Sequence, residues 1–334
     1  MSDLQGKRLL LIAPMFFDYY KEIMNEAESL GMQVDYVCDA PSNSNWSKAI
    51  GRVNKKFILL QTKKYFENKV KPQLTDKDYD YVLVVAAMSF ALTADMVRYL
   101  REKFAKAKFV IYQWDSEKNL KMAVGVHKYF DAFYSFDTDD CKNSPKYTLL
   151  PLFYTRTYEN VGSEKKVELK YDCSYVGTAH PKKLRLINEM ADRLHERYPK
   201  QFIYHYMPSV LKYIYHKVLS KDYRNAKLSD FKTEKLSMQQ IMDVFYASRF
   251  VLDSPQDGQI GLTMRTIECL GAKKKLITAN VDIKNYDFYL PENIYVYDGV
   301  MDLENVFFKT DYKELTQEIY QKYALRNWLR KVLQ

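Results

Sequence analysis

Two spacings alternate along the chain. Short, nearly continuous apolar runs at residues 7–13, 32–38, 80–86, 108–113 and 132–136 read as buried strands. Between them, apolar residues recur every three or four positions at 18–30, 47–71, 93–106 and 117–124, which predicts helices. Residues 146–153, KYTLLPLF, add a short strand or strand-like connection. Strand and helix in alternation predict a parallel sheet covered by helices.

A polar stretch at 155–168, with Gly162 and Ser163, interrupts this pattern and suits a linker. The alternation then restarts. Strands are expected at 171–176, 201–206, 249–252, 275–279 and 294–297, and helices at 182–197, 208–219, 238–247 and 261–270. Residues 311–333 read as one long final helix. The predicted class is α/β: two tandem Rossmann-like, doubly wound domains at 1–154 and 169–310, a linker at 155–168 and a C-terminal helix at 311–334. Ligands of such sheets bind outside the carboxyl ends of the strands, at the switch point of the winding.

Composition narrows the class. A chain of 334 residues is long enough for two cores. It is 47% hydrophobic and 15% aromatic, led by 29 Tyr, which excludes a disordered chain. No window has the length and apolarity of a membrane span, and the N-terminus lacks a signal-peptide layout. Cys38, Cys141, Cys173 and Cys269 show no CxxC pairing, so reduced cytoplasmic thiols and no metal site are expected.

The net charge of +9 is concentrated. Between Trp46 and Pro72, eight Lys and Arg face Glu67 alone. Ile50, Val53, Phe57 and Leu60 recur there at helical spacing, so the window reads as an amphipathic helix with a basic outer face. Lys55, Lys56, Lys63 and Lys64 are its candidate contacts to an acidic membrane surface, against the alternative of a merely solvated face. No RNP-type or helix-turn-helix signature supports nucleic acid.

Candidate chemistry concentrates in DSPQDGQIGLTMRTIE, residues 253–268. An apolar strand leads through a Gly-containing loop into a helix. Free N–H groups and the positive end of the helix dipole make such a junction an anion site. Gly261, Arg265 and Glu268 fall at spacings of four and three on one face of the expected helix. Arg265 there suits a phosphate and Glu268 paired sugar hydroxyls; the plain alternative is an i,i+3 ion pair. The set expected to bind a nucleotide diphosphate comprises Gln256, Gly258, Gln259, Gly261, Leu262, Arg265 and Glu268. A second loop, GTAHPKKLR, adds Gly177, Thr178, His180 and Arg185. Its Lys182, Lys183 and Arg185 sit in the first turn or so of a helix, where a bound anion would favour them. Tyr204, Tyr206, Tyr213 and Tyr215, with Lys212 and Lys217, could stack a ring or a base, against the plainer reading of an aromatic stripe at helical spacing as core.

The GTAHPKKLR turn and the QDGQIGLTMRTIECLGAKKKLIT block, with YQWDS, SFDTDD and LLPLFY, resemble bacterial glycosyltransferases of the GT-B fold. The group most similar is the spore-maturation-protein-like (CgeB-like) glycosyltransferases of capsule and lipopolysaccharide gene sets. The resemblance implies two domains facing a cleft and a last helix crossing back to the first domain. It further implies an N-terminal acceptor domain and a C-terminal donor domain. The donor is a nucleotide-diphosphate sugar, with no cofactor or metal. Glu268 matches the acidic residue on the donor ribose, and Arg265 with the Gly261 helix start the diphosphate contacts. The chain departs from the E-x7-E pattern of retaining enzymes, because Ile260 stands where the first Glu would be.

Such a transfer needs a base for the acceptor hydroxyl. Asp115 follows a strand directly and ranks first, with Asp18 and Asp137 next and His127 also a candidate. Each Asp also suits a helix cap. The expected function is transfer of a sugar to a lipid-linked glycan in surface polysaccharide assembly, at the cytoplasmic face of the membrane. The alternatives are a nucleotide-sugar epimerase of the same architecture and a non-catalytic module binding membrane or nucleic acid.

Overall fold

The computed structural model describes residues 4–15, 18–39, 55–86, 93–117, 125–163, 168–255 and 261–334, with the backbone alone for 55–59. Much of the helix expected at 117–124, the first residues of that at 47–71, and Gln256, Gly258 and Gln259 lie outside the described residues. The chain divides into two compact units, Met1–Pro151 with Leu325–Gln334, and Leu152–Ala324.

The first unit holds β1 (Arg8–Ala13), β2 (Gln33–Cys38), β3 (Tyr81–Ala86), β4 (Lys108–Gln113), β5 (Ala132–Ser135) and β6 (Thr148–Leu149). They form one sheet in the order β2-β1-β3-β4-β5-β6, and every pair is parallel. Leu11 of β1 stands opposite both Tyr36 and Leu83. The central strands are sealed on both faces, which is why they read as unbroken apolar runs rather than alternating ones. The helices are α1 (Tyr19–Ser29), α2 (Lys55–Tyr65), α3 (Ala94–Lys103) and α4 (Thr138–Asn143). A π-helical turn, Phe66–Val70, extends α2 and inserts Phe66 and Val70 into the core. Thr93 caps α3 by accepting from the Met96 N–H.

The second unit holds β7 (Tyr171–Thr178), β8 (Gln201–Tyr206), β9 (Phe231–Lys232), β10 (Ser248–Asp253), β11 (Lys275–Thr278) and β12 (Ile294–Val296). Their order is β12-β11-β10-β7-β8-β9, again all parallel. Its helices are α5 (Arg156–Ser163), α6 (Pro181–His195), α7 (Val210–Leu219), α8 (Met238–Tyr246), α9 (Met264–Gly271), α10 (Val306–Lys309) and α11 (Gln317–Lys322).

Two expectations fail here. The polar stretch at 155–168 is not simply a linker, because α5 occupies much of it, with Tyr158 buried. The helix lies close to the end of α9: a Cβ on Gly162 would fall 2.6 Å from the Gly271 carbonyl oxygen. The tail is not one long helix either. It divides into α11 and α12 (Leu325–Leu333), because Tyr323 and Ala324 pair with Tyr154, whose N–H donates to the Tyr323 carbonyl at 2.9 Å. α12 then belongs to the first unit, the return that the resemblance implied. It buries Leu325, Trp328, Leu329, Val332 and Leu333; Trp328 meets Tyr112 edge-on at 4.7 Å, and Arg326 pairs with Glu26 of α1 at 2.7 Å.

Candidate active site

In the second sheet the winding reverses between β10 and β7, so the crevice of this fold lies outside their carboxyl ends. β7 ends at Gly177-Thr178 and β10 at Asp253. A Cβ at Gly177 would fall 2.5 Å from the Tyr175 hydroxyl, so a larger residue at this strand end would have to displace the buried Tyr175 ring. Two helices start here. α6 follows β7 closely, with His180 as an extended N-cap and Pro181 at its first position, where no N–H is needed. α9 starts at the Thr263 cap.

Asp253, 2% exposed, joins the two starts. The Thr263 hydroxyl donates to its carboxylate at 2.5 Å and accepts from the Thr266 N–H at 3.2 Å. Lys183, from the first turn of α6, brings its ammonium to 3.8 Å from the same carboxylate. Two helix N-termini, a lysine and a threonine cap thus converge at one end of the sheet, an arrangement that favours an anion.

In the first turn of α9, Arg265 points inward. Its Nη1 pairs with Glu268 at 2.8 Å, and its Nη2 donates to the Val176 carbonyl of β7 at 3.0 Å. The guanidinium lies 4.5 Å over the Phe245 ring. The i,i+3 pair anticipated as the plain alternative therefore forms, but buried, with side-chain exposures of 17% and 8%. Burial opposes the guanidinium charge most strongly of any one cause, yet Glu268 together with Tyr158, Cys269 and Asp253 outweighs it, and the Arg265 pKa is raised. Burial, then the Glu268 carboxylate, push the Tyr158 hydroxyl well above its ordinary range.

The expected helix over 261–270 starts later than the spacing suggested. Gly261 and Leu262 precede the Thr263 cap, so Gly261 does not share a helical face with Arg265 and Glu268. Instead, the Gly261 carbonyl accepts from Asn280 Nδ2 at 3.2 Å, and Leu262 is 1% exposed. Thr178 and His180 lie at the site as the end of β7 and the cap of α6. Arg185 is engaged elsewhere, with Glu189 at 3.0 Å and Asp222 at 3.3 Å. Sequence reasoning assigned no role to Asp253, Thr263 or Asn280 and treated Lys183 only as a charge. Thr263, a good capping residue just ahead of the apolar period, was the available signal for the true helix start.

In the first unit, Asp115 and Asp137 stand beyond the carboxyl ends of β4 and β5. Asp115 accepts from the Ser116 N–H at 2.9 Å. Asp137, 4% exposed, caps α4 through the Asp139 N–H at 2.8 Å. Burial first, then the Asp139 charge, push its carboxyl up. Asp140 accepts from Ser135 and from the Glu117 N–H and is likewise raised by burial. Asp18 is exposed before α1, in a left-handed conformation (φ 59), and pairs with Lys21 at 3.2 Å. His127 faces Lys146 at 3.0 Å; burial and then that ammonium lower its pKa. On α2, Lys63 and Lys64 are exposed, while only the backbone of Lys55 and Lys56 is described. Among the described residues, no group of three or more His, Cys, Asp and Glu converges as a metal site.

No family model matches the chain, and no curated protein matches it. Solved structures do. An α-glucosyltransferase in complex with UDP and a 13-mer DNA superposes with a TM-score of 0.57 at 14% identity, covering 98% of this chain and 95% of that one. Sucrose-phosphate synthase from Thermosynechococcus elongatus gives 0.56 at 10% identity, over 98% and 95%. The lipopolysaccharide outer core galactosyltransferase WaaB gives 0.50 at 12%, over 97% and 98%. At these identities the likeness is one of fold: two Rossmann-like units of GT-B architecture.

Proposed function

We propose that this chain is a glycosyltransferase moving a sugar from a nucleotide-diphosphate donor to a glycan acceptor, with the donor seated outside the carboxyl ends of β7 and β10. The observation that carries this reading is the convergence there of the α6 and α9 starts with Lys183 and Arg265, bridged by Asp253. It is supported by the fold, which the chain shares over 98% of its length with an enzyme solved with UDP. Sugar transfer releases a nucleoside diphosphate, and the developing charge lies on its oxygens. Helix N-termini, an ammonium and a guanidinium stabilise that charge in place of a metal. Glu268 takes the donor ribose, exchanging its bond to Arg265 for two sugar hydroxyls.

The acceptor hydroxyl must lose its proton as the sugar bond forms. Asp115, partly exposed beyond β4, is the proposed base. Asp137 beside it is more deeply buried and already engaged as a cap. The acceptor is a lipid-linked glycan of surface polysaccharide, reached at the cytoplasmic face of the membrane. The fold likeness to the lipopolysaccharide galactosyltransferase and the exposed Lys63 and Lys64 support this. So does the resemblance of the GTAHPKKLR and QDGQIGLTMRTIE segments to the spore-maturation-protein-like group.

Thermal unfolding against a panel of nucleotides and nucleotide sugars tests the reading. A ligand at a hundred times its dissociation constant stabilises the folded chain by about 2.7 kcal/mol. Lys183→Ala should abolish or weaken that shift. The absence of a shift with every UDP-, GDP- and ADP-sugar and free diphosphate would overturn the proposal. Interconversion of a free nucleotide sugar without acceptor would replace it with the epimerase reading.

A further inference from the structure

Helix α7 is built inside out. At about 3.6 residues per turn, Val210, Leu211, Ile214, Tyr215, Val218 and Leu219 fall on one contiguous half of its circumference. That half faces outward: Leu211 is 78% exposed, Val218 76%, Leu219 66% and Tyr215 61%. The opposite half carries Lys212, Tyr213, His216 and Lys217. Two of these anchor the helix by polar bonds. The Tyr213 hydroxyl donates to the Ala226 carbonyl at 3.0 Å, and Lys217 donates to the carbonyls of Arg224 and Ala226 at 2.6 and 2.7 Å. Its aliphatic residues therefore contribute little to the core, and of its two tyrosines Tyr213 packs inward against Tyr223 and Phe231 while Tyr215 is exposed. An exposed apolar patch of this kind on a helix marks a contact surface.

The surrounding charge identifies the occupant. α7 contains no acidic residue. The segment that follows exposes Lys221, Arg224 and Lys227, with Leu228 (43% exposed) continuing the apolar surface. The nearby acids are already engaged: Asp222 with Arg185 at 3.3 Å, and Asp230 with the Lys227 N–H at 2.7 Å. A second copy would set this basic rim against itself. An acidic bilayer complements it and accepts the leucine and valine side chains below the headgroups. We infer that α7 is a membrane-surface helix, lying in the plane of an anionic leaflet with its apolar half buried among the acyl chains. The inference rests on α7 and its following segment alone and does not depend on the proposed donor site.

The test is co-sedimentation of the full chain with vesicles of phosphatidylcholine, with and without phosphatidylglycerol. Wild type should bind the acidic vesicles, and salt should weaken the binding. Leu211→Glu with Val218→Glu alters only exposed positions and should lower the apparent affinity about tenfold or more. Lys221→Glu with Lys227→Glu should weaken binding and flatten its salt dependence. Circular dichroism and nucleotide-induced thermal shifts, where wild type shows them, should be unchanged in both variants. The inference is overturned if wild type ignores acidic vesicles or if the folded Leu211→Glu/Val218→Glu variant binds them as wild type does. It is also overturned if sedimentation velocity finds a dimer that this variant dissolves, since a second copy then covers the face.

Discussion

Replacing Glu268 with Gln tests how α9 is tied to β7. The carboxylate lies 2.8 Å from Arg265, and both side chains are largely buried, at 8% and 17% exposure. The guanidinium also holds the Val176 carbonyl and stacks on Phe245, so it cannot leave without losing those contacts. Gln keeps the shape and one acceptor but removes the counter-charge. Losing one partner of a buried pair costs about 3–5 kcal/mol. Arg265 keeps some access to water and Gln keeps an acceptor, so about 3 kcal/mol is expected, a large share of the roughly 5–15 kcal/mol of a typical fold. Urea unfolding followed by far-UV circular dichroism measures it. Tryptophan fluorescence is an internal control, because the second unit, Leu152–Ala324, contains no Trp. Replacing both partners, Arg265→Met with Glu268→Leu, removes the charge imbalance and should recover most of the loss. A loss below about 1 kcal/mol for folded Glu268→Gln would refute the structural role of the pair. A double variant as unstable as the single one would assign the cost to packing rather than charge.

Turnover should survive EDTA, because Lys183 and two helix starts converge where the leaving group is proposed to lie; loss restored by manganese would move the donor to Asp137 and Asp139. Charge reversal at Lys55, Lys56, Lys63 and Lys64 should weaken binding to acidic vesicles at low salt by about 1 kcal/mol per residue that touches the leaflet, leaving nucleotide binding unchanged; unaltered vesicle binding would make α2 a solvated face. His205 is buried, its Nε2–H donates to Asn188 Oδ1 at 2.9 Å, and burial pushes its pKa down to about 4. The unfolded chain then takes up the proton first, so stability is lost as pH falls from about 6.5 to about 4, by roughly 3 kcal/mol. His205→Asn should flatten that part of the curve in acid titrations of stability; an unchanged slope would place the loss elsewhere.

The two sheets were legible in the residue pattern alone, because parallel strands buried on both faces must be continuously apolar, as Leu9–Ile12 and Phe250–Leu252 are. The helical period of Leu325, Trp328, Leu329, Val332 and Leu333, all buried, was legible too, though only as the end of one helix over 311–333. The adjacency of Arg265 and Glu268 was legible for the same reason: local geometry alone brings residues three apart together. The remaining features depend on which distant segments come together. Lys183, Asp253 and Thr263 meet because the carboxyl ends of β7 and β10 become neighbours, and no local period encodes which strands pair. The tail breaks at Tyr323–Ala324 because Tyr154, far away in the chain, offers a backbone partner there. The period of α7 likewise fixed which residues share a face. Whether that face turns inward depended on how the following segment folds back, because Tyr213 and Lys217 take its carbonyls and this turned the leucines and valines outward.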